Sequence, residues 1–396
     1  MSKFFKDISA LEQKAYTFVL VAVLLTVFFQ TFHTFLSNTV GMFLSLLILV
    51  SGFGGWFLYY KTHSLNAWGK AFFALIVYFL IVGMLHGIRL SNHIIGLALS
   101  QDLRYVMFFI IGGMFAFDDK MYYFHQIMKV LGIISIIFGF FALLTFNPSL
   151  QSIDTREGTW SISYYYWWCS LACFYYWGYY ALFMKKDIAI GYGVMIAYVL
   201  LGFLFLKRSV VVDFTTMLLF YVLFAPKKRG YFTPIAILSV IVLILLLFKG
   251  SFLNSIYDLL MGRFELSMEE FDRQLEANAY FSNASIFDLI LGNGIGHYYN
   301  SVNIRDSAST LNALHLGWAN IIYKGGVVYA IYSVLLYLSV VKCLIRLPKD
   351  NYGRVCLGVA VSSLVSLFYA GSWTYTILPF CISAPIFYTV THRSGK

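Results

Sequence analysis

"FLFLKRSVVVDF", residues 203 to 214, sets the adjacent cations Lys207 and Arg208, and then Asp213, between two apolar runs. The stretch is bracketed by "MKKD" at 184–187 and "PKKRG" at 226–230. Short loops rich in Lys and Arg stay on the cytoplasmic side of a membrane. If both brackets lie there, the chain between them crosses twice and turns at Lys207 and Arg208 on the opposite face. That reading predicts a polytopic membrane protein, and the rest of the sequence can be laid out from it.

Composition agrees. The 396 residues are 60% hydrophobic and 12% charged, with a mean hydropathy of +0.76, whereas soluble domains are about half apolar and a quarter charged. The N-terminal "MSKFFKDISALEQK" leads into a full-length apolar span rather than a short cleavable one, so the first span is expected to remain.

A helix needs about 20 apolar residues to cross about 30 Å of hydrocarbon. On that ruler twelve spans are expected, at about 15–36, 40–60, 68–88, 103–117, 127–146, 162–184, 188–206, 209–225, 231–248, 322–345, 355–371 and 373–391. The expected fold is all-α: spans 1 to 9 within 1–248, one large outer loop at 249–321, and spans 10 to 12 within 322–396. "RLSNHIIGLALSQ", 89–101, is ambiguous and a candidate re-entrant segment. Within the loop, "LSMEEFDRQLEANAY" favours helix, and "NASIFDLILGNG" carries a start signal at Asn283 or Ser285 and a stop at Gly292.

With both termini cytoplasmic, 18 Lys and Arg face 6 acids inside, while the other 10 basic residues share the outer side with 12 acids. The cytoplasmic face is then about +12 and the outer face about −2, which accounts for the formal +10 by the positive-inside rule. A nucleic-acid partner is not needed. Cys169, Cys173, Cys343, Cys356 and Cys381 lie in apolar runs or at a span edge and read as packing residues. The aromatic run "SYYYWWCSLACFYYWGYY" reads as span ends and interfacial anchors rather than as a sugar platform.

Cations at the hydrocarbon boundary are costly and mark function unless they snorkel to headgroups. Arg208, with Lys207 beside it, is a candidate anion site; the plainer reading is a snorkelling pair with Asp213 bonded into the bundle. Arg263, in "LLMGRFELS", follows the ninth span closely enough to face the same cavity. Arg273 competes with it but lies amid Glu269, Glu270, Asp272 and Glu276, where helix-surface pairing is the ordinary role. Arg156, in "IDTREGTWS", is the cation of another outer loop. His315 opens "LHLGWANIIYKGGVVY" and His297 ends "GNGIGH"; either imidazole can take a proton near neutral pH. No metal-binding spacing, Walker motif or zinc motif occurs, so neither metal nor cofactor is expected.

The order of these parts resembles the bacterial O-antigen polymerase and ligase superfamily (Wzy and WaaL proteins). "TREG" (Arg156) matches that family's outer-loop Arg, "LKRS" (Arg208) its span-end Arg, "MGR" (Arg263) its large-loop Arg, "LGNGIG" its pre-histidine turn, and "LHLGW" places His315 at its essential histidine. Leu316 and Phe264 depart from the family's usual Asn or Ser after the histidine and Trp after the loop Arg.

The resemblance implies a lipopolysaccharide-pathway glycosyltransferase of the bacterial inner membrane, whose donor is an undecaprenyl diphosphate-linked glycan and whose companions are membrane lipid and a chain-length regulator protein. Arg208, Arg263 and His315 would be catalytic, and Arg156, Lys207, Arg273 and His297 would bind substrate. An O-antigen ligase is the alternative within the family, and a lipid-linked glycan flippase the alternative outside it.

Overall fold

The computed structural model describes residues 10–32, 36–61, 63–89, 95–116, 120–144, 161–204, 209–225, 272–296, 299–302, 308–311, 314, 316–348, 350–368 and 378–391. The helices in chain order are α1 (Ala10–Phe32), α2 (Asn38–Tyr60), α3 (Ala67–Arg89), α4 (Ile95–Gly113), α5 (Met121–Leu144), α6 (Ser161–Met184), α7 (Ile188–Leu204), α8 (Ser209–Phe224), α9 (Asp272–Asn283), α10 (Ile286–Leu291), α11 (Gly317–Ile345), α12 (Asn351–Ser366) and α13 (Leu378–Thr391). Two strands, β1 (Tyr299–Val302) and β2 (Ala308–Leu311), pair antiparallel with Tyr299 opposite Leu311. The fold is helical, as expected, and the large loop adds one small two-stranded ladder, where Tyr, Val and Thr favour extended pairing.

Among the described residues, α1, α2, α3, α5 and α11 are long and apolar enough to cross a membrane. Shorter apolar helices occupy Ile188–Val199, Val210–Phe224 and Pro379–Thr391. The interval 231–248 lies outside the described residues. The ambiguous stretch before span 4 is resolved from Ile95 onward as the first turns of α4, which starts well before the expected span and carries Asp102 and Arg104 into the bundle.

The centre of the bundle is α6, against which α1, α5, α7, α8, α12 and α13 all pack. Its second half is apolar all round, as a helix without a lipid face must be. Tyr175, Tyr176, Trp177 and Tyr179 are among the largest fully buried side chains. The aromatic run read as interfacial anchors is thus, over its described side chains, the core itself. Its polar atoms are paired: Trp177 Nε1 donates to the Met128 carbonyl at 2.8 Å, and Tyr179 shares a hydrogen bond with Ser362 at 2.8 Å. Cys173, Cys343, Cys356 and Cys381 are buried thiols outside any disulfide.

Asp213 is fully buried and accepts hydrogen bonds from the hydroxyls of Tyr175 and Tyr198. The acid of the opening stretch therefore bonds into the bundle, as the plainer reading held, while Lys207 and Arg208 lie outside the described residues.

Between α6 and α7 the chain turns through left-handed backbone at Lys185 (φ 53°) and Asp187 (φ 47°). Lys129 donates to Asp187 at 2.8 Å, and His125 Nε2 lies 3.4 Å from its other oxygen. The Lys129 hydrogen bond, with the His125 contact behind it, holds the Asp187 carboxyl below its ordinary value. A depressed carboxyl stabilises the fold above its unfolded value of about 3.9 and loses that contribution as pH falls through the folded value. Unfolding in detergent should thus become easier below about pH 4. In Lys129→Met the acid-side loss at this turn should shrink, measured as melting temperature against pH.

Candidate functional site

The motif singled out before the histidines, "LGNGIG", does not fold over the bundle as a surface turn. Residues 292–296 are buried and enter between α3, α4 and α11. Each of the four backbone N–H groups after Gly292 finds a partner on one of those helices. Asn293 donates to the Tyr323 carbonyl (2.8 Å), Gly294 to the Lys324 carbonyl (2.9 Å), and Ile295 to the Phe79 carbonyl (3.3 Å). Gly296 donates to Asp102 Oδ2 at 2.8 Å. Irregular backbone at membrane depth is tolerated only where protein supplies such partners. Among the described residues this is the chain segment that inserts between helices, whereas 95–101 is part of α4.

Local sequence makes the insertion feasible. Ser285 caps α10 through a reciprocal capping box with Asp288, and Gly292 ends it at φ 75°. On α11, Gly326 has non-helical torsions (φ 57°, ψ −154°) and kinks the helix. A kink interrupts the helix's own ladder, and the Tyr323 and Lys324 carbonyls just before it accept from the incoming loop. Approach is close enough that side chains are excluded. A Cβ on Gly294 would sit 2.2 Å from the Gly83 nitrogen, and one on Gly326 would sit 2.2 Å from the Ile290 carbonyl oxygen.

At the tip of the insertion lies an ion pair that sequence reasoning missed. Lys324 Nζ donates to Asp102 Oδ2 at 2.7 Å, the same oxygen that receives the Gly296 N–H. Exposure is 4% for Asp102 and 8% for Lys324, so both charges are desolvated and each satisfies the other. The cue was available: a lone Asp in "LSQDLRY" and a lone Lys in "IIYKGGVVY", each next to an apolar run.

A second small core sits at the start of α11. Ala277 and Tyr280 of α9 bury against Leu314, Leu316, Ala319 and Tyr323. Asn293 Nδ2 donates to the Tyr280 hydroxyl at 2.8 Å, and the Leu314 N–H donates to Asn320 Oδ1 at 3.0 Å. Burial pushes the Tyr280 hydroxyl up to about 12, so it remains protonated over the physiological range. Phe281 stacks on Trp318 with ring centroids 5.7 Å apart.

His315, His297, Arg208, Arg263, Arg156 and Lys207 lie outside the described residues, and of Arg273 only the backbone, in the first turn of α9, is described. The described neighbours of residues 297 and 315 are both tied to α11. Gly296 precedes residue 297 and is tied to Asp102 and through it to Lys324. Leu314 and Leu316 flank residue 315 and are buried beside Tyr323. Both attachments use the first turns of α11. Comparison with protein-family models, with curated proteins and with solved structures finds no match for this chain.

Breaking one side of a buried pair leaves an uncompensated charge and costs about 3–5 kcal/mol, whereas removing both charges together costs far less. Lys324→Met and Asp102→Leu should each lower the detergent unfolding midpoint sharply, and the double variant should recover most of the loss. Gly294→Ala should be as damaging as either single charge variant, because backbone rather than a side chain blocks the added methyl.

Proposed function

We propose that the chain is a polymerase that joins undecaprenyl diphosphate-linked oligosaccharide repeats into O-antigen or a related surface polysaccharide at the outer face of the bacterial inner membrane. In this reading it spans the membrane about twelve times with both termini in the cytoplasm. The observation that supports it is the attachment, at one end of α11, of the chain segments next to both candidate histidines.

The chemistry follows from where a lipid-linked donor must lie. Its tail stays in the bilayer and its diphosphate at the interface, so the enzyme needs permanent cations at that depth. Arg208 and Arg263 offer planar forks for the diphosphate oxygens, with Arg156, Lys207 and Arg273 adding positive charge around the glycan phosphate. The acceptor hydroxyl attacks the anomeric carbon from the face opposite the diphosphate. As the new C–O bond forms, the old one breaks and its electron pair leaves with the diphosphate. His315 takes the hydroxyl proton, and His297 orients the sugar. One displacement inverts the anomeric centre and releases the polyprenyl diphosphate. The arginines, already in position, stabilise the charge that builds on the leaving group.

One observation favours a second reading. A buried acid–base pair between helices is also what a transporter uses to couple a proton to its cargo. A flippase for the same lipid-linked glycan would keep its glycan chemistry intact and fail only in moving it.

A deletion strain complemented with His315→Ala separates the readings by the chain length of its surface glycan. Single repeats attached to the acceptor support the polymerase, unattached long polymer points to a ligase, and unaltered polymer removes both. Arg208→Ala and Arg263→Ala should each slow polymerisation about a hundredfold, on the order of 3 kcal/mol, when the purified protein is assayed on lipid-linked repeats in nanodiscs.

A further inference from the structure

The six-residue helix α10 carries Ile286 at 73%, Phe287 at 68% and Ile290 at 47% exposure. Ile290 follows Phe287 by three residues and Ile286 by four, which places it beside both on one face. An apolar face this open is ordinarily a binding surface, and the positions where α10 is fastened say what covers it.

Tyr78 donates to the Leu291 carbonyl at 2.6 Å. Tyr78 lies midway along α3, about 16 Å from either end at 1.5 Å per residue. The Ile290 carbonyl lies against Gly326, nine residues into α11. Both α3 and α11 have the length and composition of membrane spans. If α3 crosses, the end of α10 lies well below the membrane surface.

The flanking surfaces agree with that depth. Residues next to the two fastening points begin exposed apolar stripes at helical spacing: Val77, Ile81 and Met84 on α3, and Val327, Ile331 and Val334 on α11. The polar groups of α10 are also paired within the protein. Asp288 accepts from the N–H and hydroxyl of Ser285 at 2.9 and 2.7 Å. The N–H of Gly292 returns to the Asp288 carbonyl at 2.9 Å, and the next four N–H groups all go to protein acceptors.

We propose that residues 285–296 form a re-entrant element whose helix lies in the bilayer, with Ile286, Phe287 and Ile290 in contact with lipid acyl chains. The partner of this face is lipid, not a second copy of the chain and not another protein. The segment then leads from the lipid-facing helix to Gly296, the donor to Asp102.

The test uses the full chain with p-benzoylphenylalanine in place of Phe287, photolysed both in native membranes and after reconstitution into phosphatidylethanolamine and phosphatidylglycerol vesicles. Val334 on the lipid stripe and exposed Asn278 on α9 serve as reference positions. Expected is a lipid adduct at 287 matching that at 334 and about tenfold above that at 278. Labelling at 287 no higher than at 278 overturns the proposal, as does an adduct dominated by a second copy or by another protein. The readout is independent of any glycan product, so its failure leaves the glycosyltransferase reading standing and its success does not depend on it.

Discussion

A single carboxylate oxygen, Asp102 Oδ2, holds the described parts of this protein in register. It accepts from the ammonium of Lys324 on α11 and from the N–H of Gly296 in the inserted loop while itself belonging to α4. Either charge alone would be prohibitive at 4% and 8% exposure. Together, with a backbone donor completing the acceptor, they form a unit that is stable only when three separate pieces of chain are in place. Such a pair contributes little net energy relative to an apolar substitute. What it supplies is registry: a shifted loop would leave a bare carboxylate in the interior.

Around that point the glycines act as spacers. Gly83, Gly294 and Gly326 let α3, the loop and α11 approach within distances that no Cβ allows. The helix kink at Gly326 and the loop insertion are one feature seen from two sides, since the carbonyls just before the break are the ones the loop N–H groups use. A straight α11 would offer no acceptors there, and the loop could not stay in a region without water.

The five membrane-length helices among the described residues were readable from hydrophobic run lengths because apolar length is what a bilayer selects. The start of α10 at Ser285 and its stop at Gly292 were readable too, because capping chemistry is local. The insertion was not. Its glycines look like those of any tight turn, and only the facing glycines on α3 and α11, more than 30 residues away on the α11 side and over 200 on the α3 side, distinguish a wedge from a surface loop. Asp102 and Lys324 escaped notice for a related reason. Charge counting by compartment assigns each to the outer side and sees two solvated residues, whereas their partnership is a fact of packing. The aromatic run was misplaced because interfacial and central helices share a taste for Tyr and Trp; α6 is distinguished only by having neighbours on every side.

The location of this anchor bears on how a site here could work. A group that takes a proton from a sugar hydroxyl must be wet, while the cations that grip a diphosphate act more strongly as water is excluded. The described structure offers both settings within a short length of chain. The wedge is dry and fully paired at 292–296, and α9 with the start of α11 forms a shallower cluster capped by the stacked Phe281 and Trp318. Tyr323 joins the two, its carbonyl receiving the loop and its side chain packing in the cluster, and the kink at Gly326 that admits the loop follows three residues later.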